Sequence, residues 1–153
     1  MTAFSRVLVL GLALAGCSSS SSDGETIDDA PLSGKVGSQS WTFQVGATNA
    51  LLSQGDEAFV AGLYATSYTP CVDTAPRGNY LIASIPKQPG TYPLSLLRNI
   101  TFAVGAGDNL IGVEGELVVD EVTATTVTGG LRTRYDDGND VNGRFQITIC
   151  PLQ

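Results

Sequence analysis

From Leu32 to the last residues, short stretches in which apolar and polar side chains alternate are separated by Gly, Pro, Asn and Asp. Trp41, Phe43 and Val45 alternate with Thr42 and Gln44; Ile111, Val113, Gly115, Leu117 and Val119 alternate with Gly112, Glu114, Glu116 and Val118; Phe145, Ile147 and Ile149 alternate with Gln146 and Thr148. A period of two with one polar face is what a half-buried antiparallel strand requires, because successive side chains leave opposite faces of the pleat. Residues 32–37, 57–64, 80–85, 100–104 and 122–135 read as strands on the same ground, the last interrupted near Gly129-Gly130. No window spaces its apolar side chains as a helix face would, which argues against parallel βαβ units. The expected fold is all-β, an antiparallel β-sandwich or flattened β-barrel of about 8–10 strands.

Two stretches read as loops. Residues 66–79 hold Pro70, Cys71, Pro76 and Gly78, and residues 86–93 hold three prolines and Gly90. Proline lacks the N–H that a ladder needs, so neither is a central strand. Asp136-Asp137-Gly138-Asn139-Asp140 is made of residues that accept turn conformations, and it predicts the hairpin turn between the last two strands.

Near the start, Arg6 precedes an apolar run of nine residues, Val7 to Ala15. A membrane span needs about 20 such residues, whereas a run this short suits the apolar region of a signal peptide. The run ends in Leu14-Ala15-Gly16-Cys17, which resembles the lipobox of bacterial lipoproteins. That resemblance implies removal of residues 1–16, a diacylglyceryl thioether on Cys17 and acylation of its new amino group, so that the partner of this end is a lipid bilayer. Each buried methylene is worth about 0.8 kcal/mol and a single chain holds only marginally, so several chains are needed for durable anchoring. In proteobacterial lipoproteins an Asp directly after the lipidated Cys keeps the protein at the inner membrane. Ser18 stands there in this chain, so the resemblance implies a place in the cell envelope at the outer membrane where the source has one. Residues 17–30, with the run Ser18 to Ser22 followed by Asp23, Gly24, Glu25, Asp28 and Asp29, read as a flexible tether. Residues 31–153 then form a single β domain.

Of 153 residues, 8 are basic and 15 acidic; losing Arg6 with the leader leaves seven against 15, a charge of −8. Scattered cations in an acidic chain argue against a nucleic-acid partner. Three cysteines leave one odd in a secreted chain. Lipid on Cys17 would account for it, which leaves Cys71 and Cys150 to form a disulfide in an oxidising compartment. The alternation of the last strand puts Cys150 on the face opposite Phe145 and Ile147, so the bridge would pin the loop around Cys71 to the outer face or the rim.

Candidate chemistry is sparse. The chain has no histidine, which excludes Ser-His-Asp and Cys-His catalysis and His-based metal sites. It has no G-x-S-x-G elbow, Walker loop or G-x-G-x-x-G after a strand, and no cofactor is expected. A hydrolase working with carboxylates alone is the second reading, and it needs two acids about 5–10 Å apart across a concave pocket. Glu114 and Glu116 share a strand face, while Asp56-Glu57 and Asp120-Glu121 are neighbours that point to opposite faces. Asp136, Asp137, Asn139, Asp140 and Asn142 offer oxygen ligands of the kind calcium takes, but they lack the D-x-[DN]-x-[DN]-G spacing and its distal Glu, so turn chemistry accounts for them and no metal site is expected. Trp41 is expected in the core with Phe43. Tyr64, Tyr68, Tyr80 and Tyr92 lie in or beside the two Pro-rich loops and would form a recognition patch if those loops meet.

The β domain is similar to small uncharacterised bacterial lipoproteins that open with a Gly-x-x-Trp-x-Phe-like pattern, here Gly37 to Phe43 with one extra residue, and close with Val-x-Gly-x-Phe, here Val141 to Phe145. That resemblance carries no activity. Gly37 and Trp41 also bear a loose similarity to the lipocalin Gly-x-Trp, which implies a third reading, a calycin-like carrier with a closed barrel around an apolar cavity. The leading expectation is a lipid-anchored envelope domain without catalysis, serving by binding a protein or glycan or by structural presence. If the lipobox reading holds, Cys17→Ser abolishes incorporation of labelled fatty acid and releases the protein from the membrane fraction; labelled protein surviving that substitution refutes it.

Overall fold

The computed structural model describes residues 26–152 apart from Asp56 and Ala106; the leader, Cys17 and the serine run lie outside the described residues. Among the described residues eleven strands follow one another with no helix between them: β1 (Ser33–Val36), β2 (Gln39–Thr42), β3 (Val45–Thr48), β4 (Ala58–Tyr64), β5 (Tyr80–Pro86), β6 (Gly90–Pro93), β7 (Ile100–Val104), β8 (Asp108–Gly112), β9 (Glu114–Val122), β10 (Thr126–Asp136) and β11 (Asn139–Thr148). They form one curled sheet, a half-barrel, in the order β6-β9-β10-β11-β3-β4-β5-β7-β8, with β1 pairing β11 and β2 pairing β1. The fold is thus all-β as expected, with eleven strands in a single sheet. Every pairing is antiparallel except β11 with β3, which run parallel through the one register pair Thr148↔Ala47.

Alternation dictates which side of each strand turns inward. Phe59, Ala61 and Leu63 on β4, Leu81, Ala83 and Ile85 on β5, and Val141, Phe145 and Ile147 on β11 are all buried. They meet Leu32, Val36, Trp41, Ile100, Phe102, Leu117, Val127 and Leu131 in one core that fills the concave side of the sheet. Trp41 is buried as expected, and its Nε1 donates to the Asn79 carbonyl at 3.2 Å. The core runs from Leu32 to Ile147, so the segment from Thr26 onward holds a complete folding unit.

Two runs that read as single strands are each two. The run through Trp41 and Val45 divides at Phe43-Gln44, where Phe43 N–H donates to Leu32 and Gln44 N–H to Tyr64. The chain thereby leaves the β1 side and joins β4. The run 111–119 divides at Val113 in the same manner: β8 pairs with β7, and β9 pairs with β10 and β6. A period of two survives a corner, so the pattern alone does not reveal the change of partner. Conversely, Gly129-Gly130 does not interrupt β10. The register shift there pairs Thr128 with Glu121 and Gly129 with Val119, so the extra residue is Asp120 on the neighbouring strand, a bulge. The Pro-rich segment 86–93 supplies β6, an edge strand with Pro93 at its end, which is where a ladder tolerates proline.

Residues 26–30, expected to belong to the tether, pack on β11 instead. Asp28 N–H donates to Asn142 Oδ1, Asn142 Nδ2 donates to the Thr26 carbonyl, and Arg144 N–H donates to the Ala30 carbonyl. Gly143 makes this approach feasible, since a Cβ there would sit 2.7 Å from both the Ala30 carbonyl oxygen and the Leu32 Cα. The hairpin turn at Asp137-Gly138 forms as expected. It locks onto the β1–β2 turn, where Gly37 and Ser38 both take positive φ: Gly37 N–H donates to Asn139 Oδ1 at 2.7 Å and Ser38 N–H to the Gly138 carbonyl at 2.8 Å.

Cys71 and Cys150 are joined in a disulfide that closes a ring of 79 residues with Cα atoms 5.4 Å apart. Loop-closure entropy assigns a ring of that size about 4.5 kcal/mol. Cys71 itself has φ 65°, a left-handed backbone rarely taken by a residue with a Cβ. The cause is local: Val72 N–H donates to Thr69 across Pro70-Cys71, a turn whose third position favours glycine. With Cys150→Ser to remove the bridge, Cys71→Gly is therefore expected to be about 1 kcal/mol more stable than Cys71→Ala in urea unfolding. Equal stabilities would show that the bridge, and not the turn, imposes the backbone at position 71.

Candidate functional site

The convex face of β4 and β5 carries the outward half of each alternation. Register pairs Tyr64 with Tyr80, Gly62 with Ile82 and Val60 with Ser84. The Tyr64 and Tyr80 rings stack at 5.1 Å between centroids, and Tyr68 meets Tyr64 edge-on at 5.4 Å. Both geometries suit the ring quadrupole. The Tyr64 ring also lies back over its own strand, where a Cβ on Gly62 would come within 2.8 Å of three of its atoms. Gly62 thus gives the ring its seat.

The loop after β4 folds over this face and is held at both ends. Its middle is pinned by Cys71–Cys150, and the Cys150 N–H donates to Thr48 Oγ1 at 2.9 Å. Thr69 N–H donates to Asp73 Oδ2 at 2.9 Å; the Thr69 hydroxyl first, and that N–H second, hold the exposed Asp73 carboxyl below its ordinary value. Its far end is fixed by Asn79, whose Nδ2 donates to the Val36 carbonyl at 2.7 Å and whose Oδ1 accepts from Gly105 N–H at 2.9 Å. Asn79 stands next to Tyr80 and so ties the tyrosine stack to β1 and to the β7–β8 turn. Sequence reasoning missed it; the pattern Gly78-Asn79-Tyr80 at a strand start was the available sign.

Between this loop and the β7–β8 turn runs an open groove of about 480 Å³, lined by Tyr64, Tyr80, Pro76, Arg77, Asp108 and Asn109 among others. A smaller one of about 230 Å³ separates Tyr64 and Tyr68 from the disulfide. Three of the four tyrosines singled out from sequence therefore meet, and the fourth does not. Tyr92 lies on the edge strand β6, under the Arg98 guanidinium at 4.9 Å and with its hydroxyl donating to the Gln88 carbonyl at 2.9 Å. The groove beside it, about 510 Å³, takes Lys87, Arg98, Glu57 and Leu97 into its walls.

Among the described residues one acidic side chain lines each of the three grooves. Asp108 lines the tyrosine groove, Asp73 the disulfide groove and Glu57 the groove at Tyr92. Glu114 and Glu116 lie along β9 and line none of these three. In the acidic turn, Asp136 Oδ1 accepts from Gly138 N–H and from Asn139 Nδ2, and Asp137 pairs with Arg134. Among the described residues no three or more Cys, Asp or Glu side chains are placed to hold a metal ion.

No protein-family model, no curated protein and no solved structure matches this chain.

The Tyr64 hydroxyl is pushed up to about 12, first by burial of the ring and then by the Tyr68 and Tyr80 side chains beside it. Because the native value lies above the unfolded one near 10, this group contributes its full share of stability below pH 10 and loses it as pH rises towards 12. At about pH 11, where a free tyrosine is mostly ionised, Tyr64→Phe should therefore remove much less than one tyrosine's worth of phenolate absorbance. Loss of a full equivalent would show that the ring is not shielded.

Proposed function

We propose that this chain is a lipid-anchored protein of the bacterial cell envelope, at the outer membrane where the source has one, whose β domain works by binding and not by catalysis, with the tyrosine groove on the convex face of β4 and β5 as its recognition surface. The observation that carries this reading is the packed set Tyr64, Tyr68 and Tyr80 beside an open groove of about 480 Å³. Aromatic faces with amide and charged groups at the rim, here Asn109, Arg77 and Asp108, suit a polyhydroxylated ligand: C–H surfaces lie on rings while hydroxyls reach the polar edge. Stacking needs little ordering energy here, because the rings already hold one another.

Two further observations favour binding over the other readings. A hydrolase relying on carboxylates needs two of them across one cavity, and among the described residues each of these three grooves is lined by one. A carrier of the calycin kind needs an empty interior, and this interior is occupied by Phe102, Leu117, Leu131 and their neighbours. The anchor rests on Leu14-Ala15-Gly16-Cys17 and on the pairing of the other two cysteines with each other.

The test is a nuclear magnetic resonance titration of residues 26–153, disulfide intact, with soluble envelope polysaccharide fragments. Shifts should concentrate on Tyr64, Tyr68, Tyr80, Arg77 and Asn109, and Tyr80→Ala should weaken binding at least tenfold, about 1.4 kcal/mol. Shifts elsewhere, or equal affinity in the variant, would defeat the assignment of this groove.

A further inference from the structure

At the other end of β4 and β5, where Ala58 pairs with Pro86, the surface has a different character. Ser95 N–H donates to the Arg98 carbonyl at 2.7 Å and Arg98 N–H to the Ser95 carbonyl at 3.1 Å, so Leu96 and Leu97 form the tip of a tight turn. They are 81% and 97% exposed, the two highest values among the exposed large apolar side chains. Just behind them the Arg98 guanidinium lies over the Tyr92 ring. Lys87 lines the same groove as Leu97 and Arg98, and its Nζ donates to the Ser53 and Gly55 carbonyls at 2.8 and 2.6 Å. Those carbonyls belong to the β3–β4 loop, which carries a second exposed pair, Leu51 and Leu52. The Leu96-Leu97 turn thus stands in front of two cations and a tyrosine, with Glu57 the described carboxylate on the same groove, whereas Leu51 and Leu52 turn toward the disulfide and the tyrosine rings.

A protein partner normally meets an apolar hot spot by offering it a pocket, and it presents breadth rather than a point. A convex pair of leucines backed by cations and an aromatic ring one layer behind is the arrangement a bilayer accepts, with acyl chains around the leucines and phosphates at the cations. Charge distribution agrees. Two of the seven cations left without the leader stand here against one described carboxylate, Glu57, which suits contact with anionic headgroups. Reach also agrees: Cys17 is nine residues before Thr26, at most about 32 Å, and Asn142, which holds Thr26, is in register through Arg132 and Glu116 with Pro93 just before the turn, three strand spacings or about 14 Å away.

We propose that the Leu96-Leu97 turn dips into the bilayer that carries the anchor, with Arg98 and Lys87 at headgroup phosphates, and so sets the orientation of the domain on the membrane. Tyr64 and Tyr80 lie six residues away along β4 and β5, about 20 Å, so the recognition groove faces away from the lipid. The identity of that bilayer rests on the anchored reading; the contact itself does not.

The test couples the chain from Cys17 onward, through that single free thiol, to maleimide lipid in vesicles of phosphatidylethanolamine and phosphatidylglycerol. The control is the same protein coupled to soluble poly(ethylene glycol). Backbone hydrogen exchange over residues 94–99 should slow at least about fivefold on vesicles and by less than about twofold in Leu96→Ser/Leu97→Ser. Both positions are exposed, so the variant should keep its thermal midpoint, which is measured alongside. Unchanged exchange in the wild type on vesicles, or equal protection in the variant, overturns the proposal. Chemical coupling supplies the anchor whatever the cell does to Cys17, so failure here counts against the turn, whereas failure of fatty-acid labelling counts against the lipobox.

Discussion

The sheet is two antiparallel halves that meet along a thin seam. On one side stand β6, β9, β10 and β11 with β1 and β2; on the other stand β3, β4, β5, β7 and β8. The two are hydrogen-bonded as strands only through Thr148↔Ala47, because the outer edge of β11 is already given to β1 over Asp140 to Asn142. One parallel bridge cannot hold two walls around a core, and the structure reinforces it from three directions. Covalent corners at Phe43-Gln44 and at Val113 carry the chain across from wall to wall. Thr48 accepts the Cys150 N–H just past the bridge. The Cys71–Cys150 disulfide then ties the loop between β4 and β5, which belongs to one wall, to the end of β11, which belongs to the other. The tyrosine groove depends on that last tie, since residues 75–78 of the loop it fixes form one of the groove's sides.

What the sequence revealed and what it concealed follow from the same physics. Alternation in β4, β5, β7 and β11 is legible because each of these strands keeps one neighbour along its whole length, and burial then fixes every second residue. The acidic turn is legible because its residues satisfy their own backbone, as Asp136 does for Gly138. The corners are not, because a strand that changes partner keeps its period. Residues 26–30 read as tether because they are polar, yet their polar groups are what docks them: Asp28, Asp29 and Thr26 all bond to Asn142 or Arg144. The tyrosine site was half legible. Which tyrosines lie near loops can be read from the chain, but that Tyr64 pairs with Tyr80 while Tyr92 sits on a far edge follows from β-pairing register, which local composition does not encode.

A filled interior also decides where a domain of this kind can meet other molecules. Phe102, Leu63, Leu81, Ile85, Leu117 and Leu131 are wholly buried against one another across the curl, so opening a cavity there would cost several kcal/mol for each large side chain removed. Recognition is left to the convex faces and the two ends, and these differ in chemistry. One end gathers aromatic rings, amides and a loop held by a disulfide, which gives a preorganised surface at little entropic cost. The other carries exposed Leu96 and Leu97 on a turn closed by its own backbone and backed by cations. A chain of low overall charge density, with 15% charged residues, could have spread its apolar excess evenly. Its two most exposed leucines among the described residues, Leu96 and Leu97, stand at the end of β4 and β5 opposite the stacked rings, and that polarity along the strand axis gives the two ends of one small domain different surfaces to present.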